Sequence, residues 1–346
     1  MRLPGRTRSG VRAWRSVIGV LAGVLFSCLV VSAHAACLGT NLLPELRESD
    51  RAGIEQMFAR ANTVPNANGR LWKVQRGGVQ PSYLFGTFHS NEALDTVPPD
   101  VWARLEAARI AIFEVGLDQQ AAMQSRMSTD PSFVLDLEGP GVLSEMTAEQ
   151  RRVFGDALAT RGIAVEAADR MRPWLLTALL AFPACHLQAM AGGSQPLDAV
   201  MANRAVALGI EEVGLEGYEV ALSGLDKVAT DVLMTALTGV PEMLNRDEDL
   251  FRTNHALYES GQTQAISELG IYLTERYRPD LDARRLNRAM MVELLDVRNQ
   301  AWMPRLRDEL SMGNAFVAVG ALHLPGELGL VELLREAGFT VTRLDE

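Results

Sequence analysis

A run of five apolar residues, 315–319, leads directly into Gly320-Ala321-Leu322-His323, a helical stretch over 328–337 and a last strand over 340–344. Gly338 stands just past that helix, where a left-handed glycine commonly ends the last turn. This strand–loop–helix–strand unit restricts the fold more than any other part of the chain. Strands that alternate with helices pair in parallel, and a parallel sheet needs helices over its faces. Residues 71–74 and 83–85 read as two strands joined by a turn at Gly77-Gly78, and the second runs into Gly86-Thr87-Phe88-His89. Beyond Pro98-Pro99 come a helix over 100–108 and a short apolar strand, 110–113, that ends in Glu114. Residues 210–215 give another strand, ending in Glu216. The expectation is an α/β fold: a central, largely parallel sheet covered by helices, with a large helical insertion between the two Gly-x-x-His strands.

The rest of the chain supplies the helices. Leu42, Leu43 and Leu46, then Ile54, Met57 and Phe58, fall at helical spacing over 41–61. Residues 119–187 are mostly helical, and Pro173 suits a first helical turn because its missing N–H costs nothing there. A helix covers 197–207, and 226–310 is amphipathic helix with a break near Pro279. No solenoid repeat and no linker divides the chain, so residues 36–346 are expected to form one domain.

Residues 1–35 stand apart. Arg2, Arg6, Arg8, Arg12 and Arg15 precede an uncharged apolar run over 17–33 and then Ala33-His34-Ala35. That order fits a secretory signal with a small-x-small cleavage site. The run is at the short limit for spanning a bilayer, which leaves a retained anchor as the alternative. This basic segment has no Arg-Arg pair, and neither Cys28 nor Cys37 sits in a lipobox. The expected location is therefore periplasmic or secreted, or inner-membrane anchored and facing the periplasm if the segment stays. The whole chain has 33 basic and 43 acidic residues, and cleavage removing the five arginines leaves a net charge of −15. Such a balance argues against nucleic acid as a partner. Only Cys37 and Cys185 would remain, and in an oxidising compartment they point to one disulfide; two separate buried thiols are the alternative.

Four histidines follow the export segment: His89, His186, His255 and His323. His89 and His323 share one setting, an apolar strand followed by Gly-x-x-His. Ligands of open α/β sheets gather where strands give way to loops at their carboxyl ends, and a glycine there lets the backbone turn tightly beside a ligand. Glu114 ends its strand in the same way. Two imidazoles and a carboxylate make a first shell for a divalent transition metal, which acidifies water and polarises carbonyls. A single Gly-x-x-His is common by chance; the duplication in a histidine-poor chain is what carries weight. Glu216 is either a second acid or a solvated strand-end carboxylate. Arg298, in Arg298-Asn299, either brings a fixed cation to a developing oxyanion or lies on the surface. Glu92 and Asp95 are candidates to orient His89. His255 reads as exposed on a polar helix face, and His186 as a neighbour of Cys185. No Gly-x-Ser-x-Gly, His-Glu-x-x-His, P-loop or dinucleotide fingerprint occurs.

Phe85-Gly86-Thr87-Phe88-His89, Phe113-Glu114, and residues 316–324 followed by Gly326 and Gly329 resemble the TraB/GumN family. That family includes the Tiki metalloproteases and PrgY-like proteins and is distantly similar to the erythromycin esterase/ChaN-like group. Cys37-Leu38-Gly39, Leu42-Leu43-Pro44, Arg172-Pro173-Trp174, Leu215-Glu216 and Arg298-Asn299 look like its secreted GumN branch. The resemblance implies a compact α/β fold with His89, Glu114 and His323 at the centre, Arg298 as the family arginine, and a metal-dependent peptidase using manganese or cobalt, zinc being a further option. The chain departs from the family pattern at Pro196-Leu197-Asp198 and at Gly217, places expected to lie away from the histidines.

The leading expectation is thus a hydrolase, a metal-dependent peptidase acting on a peptide or small molecule, with His89, Glu114 and His323 holding the metal and Arg298 stabilising an oxyanion. A metal-independent, esterase-like hydrolase uses the same residues. A haem- or small-ligand-binding protein is the third reading, weakened by an aromatic content of only 6%.

Overall fold

The computed structural model describes residues 37–345 apart from 240. The export signal expected over 1–35 lies outside the described residues. The described residues pack as one unit.

Six strands form a single sheet: β1 Leu71–Gln75, β2 Ser82–Thr87, β3 Ile110–Val115, β4 Glu211–Glu216, β5 Ala315–Gly320 and β6 Thr340–Arg343. Their order is β4-β3-β5-β2-β1-β6. The four strands β4, β3, β5 and β2 run parallel to one another, whereas β1 is antiparallel to both β2 and β6. The sheet is therefore mixed but mostly parallel, as the alternation of strands and helices implies. β1 and β2 form the expected hairpin, with Leu71 opposite Phe85.

β5 lies in the middle of the parallel group and every one of its residues is buried. Because side chains alternate across a strand, Phe316 and Ala318 face one layer while Val317 and Val319 face the other. Both faces are covered, so neither set can be polar. The first layer is built by Pro99–Glu106 and Leu197–Ala207, through Val101, Leu105, Met201 and Ala205. The second is built by Val297–Met312 and Leu330–Glu336, through Trp302, Leu306, Val331 and Leu334. Gly338, at φ 88°, ends Leu330–Glu336 in the left-handed region where glycine is favoured.

The longer helices are numbered α1 Leu43–Ser49, α2 Arg51–Ala61, α3 Pro99–Glu106, α4 Leu117–Thr129, α5 Ala148–Ala159, α6 Pro173–Ala181, α7 Ala184–Ala191, α8 Leu197–Ala207, α9 Tyr218–Gly239, α10 Asp247–Glu259, α11 Thr263–Tyr277, α12 Ala283–Met291, α13 Val297–Met312 and α14 Leu330–Glu336. Two further apolar cores lie off the sheet. α1 and α2 pack on α11 through Leu46, Met57, Leu269 and Leu273. α5 and α6 pack together through Phe154, Leu158 and Leu176. Pro173 occupies the first turn of α6, where it lacks no bond. Among the described residues no single helix is long and apolar enough to cross a membrane.

Cys37 and Cys185 are disulfide-bonded across 148 residues, with their Cα atoms 5.3 Å apart. The bridge ties the start of the described chain to α7. Closing so long a loop in the unfolded chain is worth about 5 kcal/mol in the chain-entropy picture.

Candidate functional site at the parallel strand ends

The carboxyl ends of the four parallel strands present, in sheet order, Glu216 on β4, Glu114 on β3, Gly320 on β5 and Thr87 on β2. One turn beyond Gly320 lies His323, and two residues beyond Thr87 lies His89. Residues more than 200 apart in sequence thereby meet at one edge of the sheet. Gly320 is the hub. A Cβ built there would lie 3.2 Å from Glu114 Oε1, 3.4 Å from His89 Nε2 and 3.6 Å from His323 Cδ2. The absent side chain leaves a small space that the three groups surround. Gly86 has a different reason to be glycine: a Cβ would come 2.9 Å from the Ala321 backbone, so β2 could not lie so close to the turn after β5.

Each imidazole is oriented by one oxygen. His89 Nδ1 donates to Asp198 Oδ2 at 2.8 Å, and Thr87 Oγ1 donates to the other oxygen of Asp198. Asp198 sits in the first turn of α8, after Pro196. The departure Pro196-Leu197-Asp198 therefore does not lie away from the histidines; it holds one of them. Glu92 and Asp95 do not orient His89. Glu92 instead pairs with Arg252 at 2.5 Å and accepts from the Cys37 N–H.

His323 Nδ1 is 2.7 Å from Asn299 Oδ1. Asn299 Nδ2 donates to the carbonyls of His323 and Leu328, so its oxygen must face the imidazole and accept. The proton of His323 is therefore on Nδ1, and Nε2 carries a lone pair. That lone pair is 3.6 Å from Glu114 Oε1 and 3.4 Å from Arg298 Nη1.

Arg298 is largely enclosed rather than on the surface, its side chain 12% exposed. Its Nη2 lies 2.6 Å from Glu114 Oε2, its Nε donates to Glu216 Oε1 at 2.8 Å, and its Nη1 donates to the Leu294 carbonyl. Leu294 belongs to a π-helical turn, Val292–Asp296, that joins α12 to α13. Glu216 is not a solvated carboxylate: its side chain is 5% exposed, and its second oxygen accepts from Trp302 Nε1 at 3.0 Å. The Trp302 ring packs against His323 and under the Arg298 guanidinium.

Protonation follows from these partners. The Asp198 carboxylate raises His89 to about 9, against the opposing effect of burial. Burial lowers His323 to about 4, and the positive charges of Arg298 and His89 add to it against the pull of Glu114. Burial alone would raise Glu114, but His323, Arg298, His89 and the Gly320 N–H outweigh it and bring the carboxyl to about 2. Near neutral pH the centre holds an imidazolium, a neutral imidazole, a carboxylate and a guanidinium.

Whether these residues suit a divalent metal can be judged from the donors. Glu114 Oε1 and His323 Nε2, both able to act as metal donors, lie 3.6 Å apart, with Arg298 in contact with each of these side chains. His89 Nε2 carries no hydrogen bond among the described residues, and both Nδ1 atoms are occupied by oxygens, as in metal-binding histidines. The donor set fits. The spacing is wider than in a loaded centre: among the described residues no three His, Cys, Asp or Glu side chains converge tightly enough as placed to hold one ion.

The other two histidines lie nearby without joining the centre. His255 is buried rather than exposed, because the polar-looking face of α10 packs its ring against Phe88, the neighbour of His89. His186 stacks on Phe182 beside the disulfide, at 4.6 Å between ring centroids.

A cavity of about 710 Å³ opens from the centre. His89, Glu114, Arg298 and His323 form one end; Leu225, Leu244, Leu250 and Leu273 from the helical insertion form much of the rest.

These features define an α/β protein with one strand-end centre of two histidines, a glutamate and a largely enclosed arginine beneath a helical cap. The model of the TraB/PrgY/gumN family matches residues 70–343, most of the chain, and the chain belongs to that family. No curated protein matches it.

Proposed function

We propose that this protein is a periplasmic or secreted hydrolase in which His89, His323 and Glu114 hold a divalent transition metal, a peptidase being the form closest to the family resemblance. The observation that carries the reading is that Glu114 Oε1, His89 Nε2 and the edge of the His323 ring all lie within 3.6 Å of where a Gly320 Cβ would sit. A bound metal would supply the Lewis acid that acidifies water and polarises a carbonyl. The chain's own groups do the rest. Asp198 and Asn299 fix the two ring orientations. Glu114, ionised and held by the Gly320 N–H at 2.6 Å, would be the anionic ligand. Arg298, locked between Glu114 and Glu216, is a permanent charge placed for a developing oxyanion. Purified protein is expected to carry manganese, cobalt or zinc by elemental analysis, and His323→Ala to lose it together with hydrolysis of amide or ester probes. Protein that neither carries nor binds a divalent metal at micromolar levels rules the reading out.

One observation favours a second reading without metal. Arg298 already contacts Glu114 and stands 3.4 Å from His323 Nε2, and the opposed protonation of the two histidines supplies an acid and a base. Hydrolysis that survives a chelator, with no metal in the sample, selects this reading.

A further inference from the structure

The cavity behind the centre is built for hydrocarbon, and from it we infer that the substrate is a long-chain acyl amide or ester whose acyl chain lies in the cavity and whose polar part remains at the histidines. The bond to be broken rests on the hydrolase reading above; the cavity assignment does not.

The walls away from the centre are largely helical, from α6, α9, α10, α11 and the short helix Pro241–Leu244, and most of their main-chain groups are consumed by helical hydrogen bonds. The side chains they turn inward are overwhelmingly apolar: Leu180, Leu225, Leu244, Leu250, Ile266 and Leu273. Among the described residues, the polar side chains that line this part are already engaged. Asp247 pairs with Arg161 at 2.7 Å, and Thr274 Oγ1 donates to its own helix at Gly270. Asn254 is left, with its Oδ1 buried and without a hydrogen bond. A peptide occupying such a space would bring one N–H and one C=O per residue and find one amide to meet them. Each unmet group weakens binding by about fivefold to a hundredfold. A hydrocarbon chain brings no such groups, and it gains from burial along its whole length. The volume of about 710 Å³ falls in the range of sites that enclose a small molecule.

In the reaction, water adds to the acyl carbon: its oxygen bonds to that carbon, the C–N or C–O bond breaks, and the amine or alcohol leaves with a proton. The acid product keeps the chain. Nothing is oxidised or reduced.

Two measurements on the full mature protein test the assignment. Binding of fatty carboxylates from hexanoate to dodecanoate, read by calorimetry, is expected to tighten by about fourfold per added methylene. Leu225→Asp is expected to weaken dodecanoate binding at least tenfold, and the milder Leu225→Ala and Leu250→Ala to weaken it severalfold, so a misfolded aspartate variant does not remove the test. Acyl p-nitroanilides from butyryl to dodecanoyl should show the same trend in kcat/KM. Binding that follows chain length without turnover of any probe supports the cavity assignment and overturns the hydrolase reading. Turnover of polar peptides with no dependence on chain length, or dodecanoate bound no tighter than hexanoate, overturns the cavity assignment and leaves the hydrolase reading standing.

Discussion

His89 and His323 follow the same motif on adjacent strands, β2 and β5, and occupy opposite surroundings. The His89 side chain is 57% exposed to the cavity and bonded to a carboxylate; that of His323 is 4% exposed and bonded to a neutral amide. One is held protonated to about 9, while the other is kept neutral down to about 4. Gly-x-x-His delivers an imidazole to the end of a strand, but it does not set the charge. The surroundings set the charge: for His89 chiefly the Asp198 carboxylate, placed against Nδ1 from the start of α8, and for His323 chiefly burial, with the neutral Asn299 of the first turn of α13 at its Nδ1.

The comparison can be broken from either side. Asp198→Asn replaces the carboxylate behind His89 with a neutral amide that can still accept from Nδ1 but holds the ring less firmly. A loss of about 10- to 100-fold in metal affinity or in hydrolysis is expected, as for other groups that orient a ligand. Gly320→Ala places a methyl 3.2 Å from Glu114 Oε1 and 3.4 Å from His89 Nε2, at a backbone φ of −51° that alanine accepts. The expected result is roughly tenfold weaker metal binding with a thermal midpoint within a few degrees of wild type, read by calorimetry and by melting. Asn299→Asp gives His323 the kind of partner His89 has, and in the metal-free protein its titration should move upward from about 4, visible in histidine NMR shifts. An unmoved titration shows that burial alone controls His323.

The smallest effect is on stability. His89 titrates higher folded than unfolded, so its pair with Asp198 contributes fully below about pH 6.5 and is lost as pH rises through about 9. His323 has the opposite sign: the unfolded chain takes up a proton that the folded one refuses, so stability falls as pH drops from about 6.5 toward 4. With so exposed an imidazole, the Asp198 contribution is about 1 kcal/mol or less. Denaturant midpoints of metal-free wild type and Asp198→Asn should therefore differ most near pH 6 and converge near pH 10.

The same contrast separates what could be read in the sequence from what could not. β5 was legible because a strand buried on both faces has no place for polar residues, and Glu114 because it ends the next strand of that kind. The groups that tune them were hidden. Asp198, Asn299 and Glu216 reach the centre only through the packing of α8 and α13 and the order of the strands, which bring together residues 109, 24 and 82 positions apart. His255 misled for a related reason. Its polar neighbours on α10 suggest a face open to water, yet that face lies against the loop carrying Phe88. The signal for Asp198 was present in a weak form, an acid in the first turn after Pro196, but a helix start does not say which strand end it faces. Arg298 could not be told from a surface arginine until Glu114 and Glu216 were seen on either side of it.

The central claim is that the two unlike histidines serve one metal. Titration of metal-free protein with manganese, cobalt or zinc by calorimetry, on wild type, His89→Ala and His323→Ala, addresses it directly. A single site at micromolar affinity or better in wild type, abolished by either substitution and weakening as pH falls below about 9 while His89 holds its proton, is the predicted result. Binding that persists unchanged in one of the two variants, or is absent from wild type, contradicts the account.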